Sequence, residues 1–212
     1  MANELERRFY TFEPKSEKRE NGSAQISGRP IVYNSPTDIG GYFREIIMPG
    51  ALDGADLRDV PLLVNHNDRM IPVARSRRNN GNSTMKLNVD NEGMTFDASL
   101  DVMRNTTAAE LFSAIDRGDI SGMSFAFRID DERWEGLETD YPTRYINRFS
   151  TIREISAVTF PAYDATEIMA RSKDALDSAR ADLERSRQQS VKEVDTSEIE
   201  LLKAKALFKS KI

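Results

Sequence analysis

The segment Thr106–Phe127, TTAAELFSAIDRGDISGMSFAF, changes its apolar period part-way along, and that change decides the fold class. As far as Arg117, Leu111, Ala114 and Ile115 recur at helical spacing, with Asn105 or Thr106 placed to cap the start and Gly118 where a C-cap glycine belongs. From Ser121 onward the alternation is twofold. Met123, Phe125 and Phe127 point one way with Ser121, and Gly122, Ser124 and Ala126 point the other. A helix therefore delivers the chain through Gly118 and Asp119 directly into a strand.

Outward from this segment, residues 7 to 160 read as short apolar pieces punctuated by Gly, Pro, Asn and Asp. Strands are predicted at Arg7–Phe12, Ala24–Tyr33, Phe43–Ile47, Pro61–His66, Met85–Val89, Met94–Ser99, Ser121–Ile129 and Ile152–Phe160. RNNGNS (Arg78–Ser83) and DNEG (Asp90–Gly93) carry the Asn/Gly chemistry that tolerates positive φ and closes hairpins. The fold class is α+β, mainly β. After Pro161 strands give way to Ala, Arg, Asp, Glu, Lys, Ser and Gln, so one domain (1–165) is expected to precede a charged helical or disordered tail (166–212). Within the tail, 174–188 reads as a mostly solvated helix. Ile199, Leu201, Leu202, Ala206 and Leu207 make a stripe that suits docking on this chain or on a partner.

Composition removes several function classes. A net charge of −5 offers no basic footprint for nucleic acid. With no cysteine and one histidine, thiolate catalysis, disulfides and Cys-ligated or multi-histidine metal sites are excluded. No cofactor is expected. The charged N-terminus lacks an apolar leader and no run is long enough to span a bilayer, so residence in the cytoplasm is expected, with no membrane partner.

Three segments hold residues suited to acyl-transfer chemistry. In VPLLVNH (Val60–His66), alternation groups His66 with Leu62 and Val64 at a strand end before a polar loop. Imidazole is the side chain best suited to exchanging a proton near neutrality, although a lone histidine is more often structural than catalytic. Ser124 lies on the face of its strand kept open by small neighbours, whereas Ser121 shares its face with bulky groups. Ser124 is the better nucleophile of the two, though taken alone it suits tight strand packing better than catalysis. In IREISAVTF (Ile152–Phe160), Glu154 falls on a face with Ile152, Ser156, Val158 and Phe160. A carboxylate in such company needs a partner. An imidazolium at His66, or an arginine such as Arg75 or Arg128, would serve.

Five stretches, taken in order, carry a resemblance: GYFREIIMPGAL (Gly41–Leu52), DVPLLVNHN (Asp59–Asn67), IPVARS (Ile71–Ser76), AIDRGDISGMSFAF (Ala114–Phe127) and REISAVTFPAYDAT (Arg153–Thr166). Together they resemble the prohead proteases of tailed bacteriophages, the HK97-type family, which is similar in fold to herpesvirus assembly proteases. The resemblance implies a closed β-barrel with flanking helices, and a serine endopeptidase whose triad is Ser124, His66 and Glu154. Herpesvirus enzymes use a second histidine where this chain has only one, so an acid must serve here; Asp68 and Asp101 are alternatives to Glu154. No oxyanion donor is assigned beyond a backbone N–H near Ser124, with Arg75 or Arg77 as an electrostatic aid.

The implied substrate is the scaffold, or the scaffold-like region of the major capsid protein, inside the immature head in the host cytoplasm. Self-cleavage, contact with the portal or prohead shell, and homodimerisation belong to the same expectation. A non-catalytic assembly factor working through its tail is the competing class.

Overall fold

The computed structural model describes residues 5–11, 15–18, 24–159 and 177–192 of the 212-residue chain. In chain order the elements are β1 (Glu6–Thr11), β2 (Lys15–Lys18), β3 (Ala24–Val32), β4 (Thr37–Ile39), β5 (Phe43–Ile47), β6 (Asp59–Val64), β7 (Ala74–Arg77), β8 (Met85–Asp90), β9 (Gly93–Leu100), α1 (Thr106–Asp116), β10 (Gly122–Glu135) and β11 (Thr143–Val158). A second helix, α2, spans 177–192. The stripe expected around residues 199–207 lies outside the described residues.

Two sheets form. The larger runs β1-β10-β11-β5-β4, with β6 also on β11 and β7 on β6; the smaller runs β2-β3-β9-β8. β11 is 16 residues long, which lets one of its edges serve two strands in succession. Tyr145 pairs in parallel with Ile46 of β5 near its start, and Ser156 with Leu63 of β6 near its end. Its other edge carries the antiparallel ladder to β10, which is kinked by register shifts between Ala126 and Glu132.

The expected closed barrel is not found. Among the described residues no ladder joins β7 to β8, where the sheets approach through the Thr84 N–H on the Arg75 carbonyl (3.0 Å), or β1 to β2. The turn at 78–84 takes up the chain that a continuous ladder would need: Arg78 and Asn79 adopt positive φ (55° and 50°) and reverse it. The sheets instead enclose one core, in which Phe125, Phe127 and Phe149 pack ring on ring at 5.0 to 6.0 Å between centroids. Asn105 caps α1 by accepting the Ala108 N–H, and Ala108, Leu111 and Ile115 are its buried face.

A smaller apolar cluster joins Ile39 and Phe43 to Ala179 and Leu183 of α2. Most of α2 is exposed, as its composition predicts, but this stripe and Asp182 are buried. Between the clusters lies a charged one. Arg144 pairs with Glu6 (2.7 Å), Glu45 (3.3 Å) and Glu132, and stands 3.8 Å from Asp182. Arg8 closes the group with Glu6 at 2.6 Å and Glu45 at 2.7 Å. Burial alone would raise the Glu6 carboxyl, yet Arg144 and Arg8 hold it down at about 2.

Candidate active site

Strand register places the candidate residues on one face of the larger sheet. Ser124 stands opposite Ser156, and Ala126 opposite Glu154, across the β10–β11 ladder. In an antiparallel pair, opposed residues share a face, so Ser124, Ala126, Glu154 and Ser156 do so. Their neighbours Met123, Phe125 and Ile155 turn the other way into the core. Leu63, beside Ser156, completes the wall of a cleft of about 240 Å³ that is also lined by His66, Ala126, Arg153 and Glu154.

His66 reaches this face by a route that alternation does not foresee. Extended to His66, β6 would send the ring to the core side with Leu62 and Val64; instead the strand ends at Val64. Asn65 and His66 both take positive φ (51° and 56°), and the chain turns back. The Asn65 side chain fixes this turn to the end of β11, accepting the Thr159 N–H at 3.0 Å. Asparagine is among the residues that tolerate this backbone region best.

The turn brings His66 Nδ1 to 2.5 Å from Glu154 Oε1, with both side chains nearly buried. Ser156 then links the partners: its Oγ donates to Glu154 Oε2 at 2.6 Å and accepts the His66 backbone N–H at 3.2 Å. Ser156 is the residue that the sequence reading passed over as a mere face-mate of Glu154. An acid two positions before a serine on one strand face was the signal that could have marked it.

Ser124 is where the expectation of an open approach fails. It is 0 % exposed, and its Oγ donates to the Arg8 carbonyl of β1 at 2.7 Å. Gly122 and Ala126 leave room on this face, and β1, paired along the edge of β10, brings the Arg8 carbonyl against the hydroxyl.

Of the other candidates, Asp68 and Arg75 line the cleft, and Asp101, Arg77 and Arg128 do not. Asp101 accepts the Arg104 Nε at 2.9 Å, outside the cleft, whereas Asp68 lines it. The Arg75 guanidinium is held by Asp59 through two 2.6 Å contacts, and Arg77 donates to the Asn82 carbonyl. Arg128 is exposed on a bulged part of β10.

A family model described as caudovirus prohead serine protease matches residues 11–181 of this chain. The chain belongs to that family. This prohead protease is accordingly a serine protease of phage capsid maturation. Among solved structures, the bacteriophage T4 capsid assembly protease, gp21, aligns with 72% of this chain and 98% of its own, at 12% identity and a TM-score of 0.39. No curated protein matches. None of the protease's described helices is long and apolar enough to cross a membrane.

Proposed function

We propose that this protease cleaves by acyl transfer with Ser124 as nucleophile, His66 as general base and Glu154 as the acid that orients and charge-balances the imidazole. The observation that carries the reading is the 2.5 Å contact from His66 Nδ1 to Glu154 Oε1 on the sheet face that holds Ser124. A carboxylate on Nδ1 fixes the proton there and leaves Nε2 as the basic nitrogen. His66 takes the Ser124 proton as Oγ adds to the peptide carbonyl, then returns it to the departing amine. Water repeats the cycle to release the acyl group. Ser156 holds the second carboxylate oxygen and the backbone beneath the ring, so the pair keeps its geometry as charge develops.

The substrate in this reading is the scaffold, or the scaffold-like region of the major capsid protein, within the immature head in the host cytoplasm, with the protease cutting itself as well. Residues 166–212 act as a separate charged tail, a self-cleaved or targeting segment, after the catalytic domain of residues 1–165. Family membership supports the capsid-directed substrate.

Co-expression with the capsid protein, followed by mass spectrometry of both proteins' termini, tests this. New termini in both are expected from the parent, with full-length chains from Ser124→Ala. Processing at the parental rate in Ser124→Ala overturns the assignment.

A further inference from the structure

The Arg8 carbonyl lies 2.7 Å from Ser124 Oγ, and that carbonyl belongs to an edge strand. β1 pairs antiparallel with β10 from Glu6↔Phe127 to Thr11↔Gly122, so Phe9 sits opposite Ser124 and Arg7 opposite Ala126. Removing β1 would leave the β10 edge as a row of unpaired N–H and C=O groups beside the nucleophile. Such an edge is a template for an extended peptide.

We infer that the β10 edge facing Ser124 is the docking site for an extended substrate segment, and that the chain's own residues 6–11 occupy it in cis as a non-productive stand-in. The inference rests on Ser124 being the nucleophile. The Arg8 carbonyl oxygen accepts the Ser124 hydroxyl, which is a hydrogen-bonded arrangement and not one of attack at carbon. The hydroxyl is directed at β1, and its 0 % exposure leaves no path for a second chain.

Strand parity explains why β1 stays. Arg7 faces the cleft, whereas Glu6 and Arg8 point to the opposite side, where Arg8 binds Glu45 through Nε and Nη2 (2.7 and 2.8 Å) and Glu6 binds Arg144 (2.7 and 3.0 Å). The guanidinium of Arg8 also sits 5.4 Å from the centre of the Phe127 ring. The strand is thus latched through the face that does not touch the site. An arriving segment competes with β1, and apparent reactivity is lowered by the fraction of molecules in which β1 is displaced.

The test measures labelling of Ser124 by a fluorophosphonate, with the modified residue mapped by mass spectrometry and hydrogen exchange followed over residues 6–11. In the full chain, Glu6→Gln with Arg8→Met removes one charge of each sign and loosens the latch. Labelling at Ser124 should rise at least tenfold, and a synthetic Leu5–Thr11 peptide should reverse the rise. Because the chain has no cysteine, Arg7→Cys with Ala126→Cys gives a single disulfide across directly opposed residues. Oxidised, this variant should be protected; reduced, it should label at least tenfold faster. Equal labelling of the oxidised and reduced forms overturns the inference, as does parental labelling as fast as that of the loosened variant when exchange shows β1 freed. Failure of the catalytic reading looks different: a folded protein that processes capsid protein while Ser124 stays unlabelled in every form.

Discussion

Ser156 Oγ accepts the backbone N–H of His66 at 3.2 Å, tying the turn that carries the imidazole to the strand that carries Glu154. Because the same oxygen donates to Glu154 at 2.6 Å, one hydroxyl fixes the separation of carboxylate and imidazole from both sides. Ser156→Ala should therefore lower kcat for capsid-protein cleavage by about 10–100-fold, since a hydrogen bond to a charged group is worth about 1.5–3 kcal/mol and about 1.4 kcal/mol is tenfold. KM should change little, because Ser156 is fully buried beneath the imidazole turn. A change in KM alone, with kcat intact, would assign Ser156 to the binding surface.

Glu154→Gln keeps the shape of the side chain and removes its charge. With no anion on Nδ1, the imidazole is free to take the wrong tautomer, and a loss of about 10⁴-fold in kcat is expected by analogy with other serine triads. Circular dichroism should be unchanged. Single-turnover cleavage assays would measure the loss, and retention of more than a tenth of the parental rate would remove Glu154 from the mechanism.

Gly93 enters β9 at φ 140°, and a Cβ there would lie 2.0 Å from the Ile31 carbonyl oxygen. Backbone cannot move aside as a flexible side chain does. Gly93→Ala should cost about 2–4 kcal/mol in urea denaturation, with the candidate active-site residues, which belong to the other sheet, unaffected in any folded fraction. A cost below about 0.5 kcal/mol, within the range of ordinary surface changes, would contradict the close approach.

Asp182 supplies a pH dependence. Burial, and then repulsion from Glu6, push its carboxyl up to about 7, above the ordinary aspartate value of 3.8. Folded protein therefore holds this proton where unfolded chain has lost it. The resulting stabilisation is present at acid pH and drains away as pH rises from about 4 to about 7. Glu6 has the opposite sign: held at about 2, it contributes above its ordinary value of 4.5 and is lost only on strong acidification. Hydrogen exchange in α2 should accelerate between about pH 4 and about pH 7 beyond the intrinsic rate, and Asp182→Asn should flatten the profile. An identical profile in that variant would rule Asp182 out as the cause.

Much of this was legible in the residues. Alternation in GMSFAF and REISAV marked both central strands and set Ser124 with Gly122 and Ala126, and Glu154 with Ser156, while the pairing that puts the two sets on one face came from the register; Asn/Gly pairs marked the turns, and the period change at Gly118 the helix-to-strand passage. The three- and four-residue strands β2, β4 and β7 escaped because they are too short to show a period. The far ends of β10 and β11, such as Arg133–Glu135 and Thr143–Tyr145, escaped because their side chains are largely polar. His66 was read onto the wrong face, since parity holds only while the strand continues and two positive-φ residues end it. The Arg8–Glu6–Glu45–Arg144 group was invisible for a different reason. Charged residues far apart in sequence read singly as surface, and only their mutual pairing makes burial affordable.

That group has one more consequence. Arg144 touches β1 through Glu6 and stands near α2 through Asp182, so segments more than 160 residues apart share a single cation. Linked equilibria are reciprocal: whatever free energy the seating of one segment lends the other must be returned in equal measure. The two ends of the described chain thereby form a two-input circuit, in which the state of the helix can be read at the first strand through the cation they share.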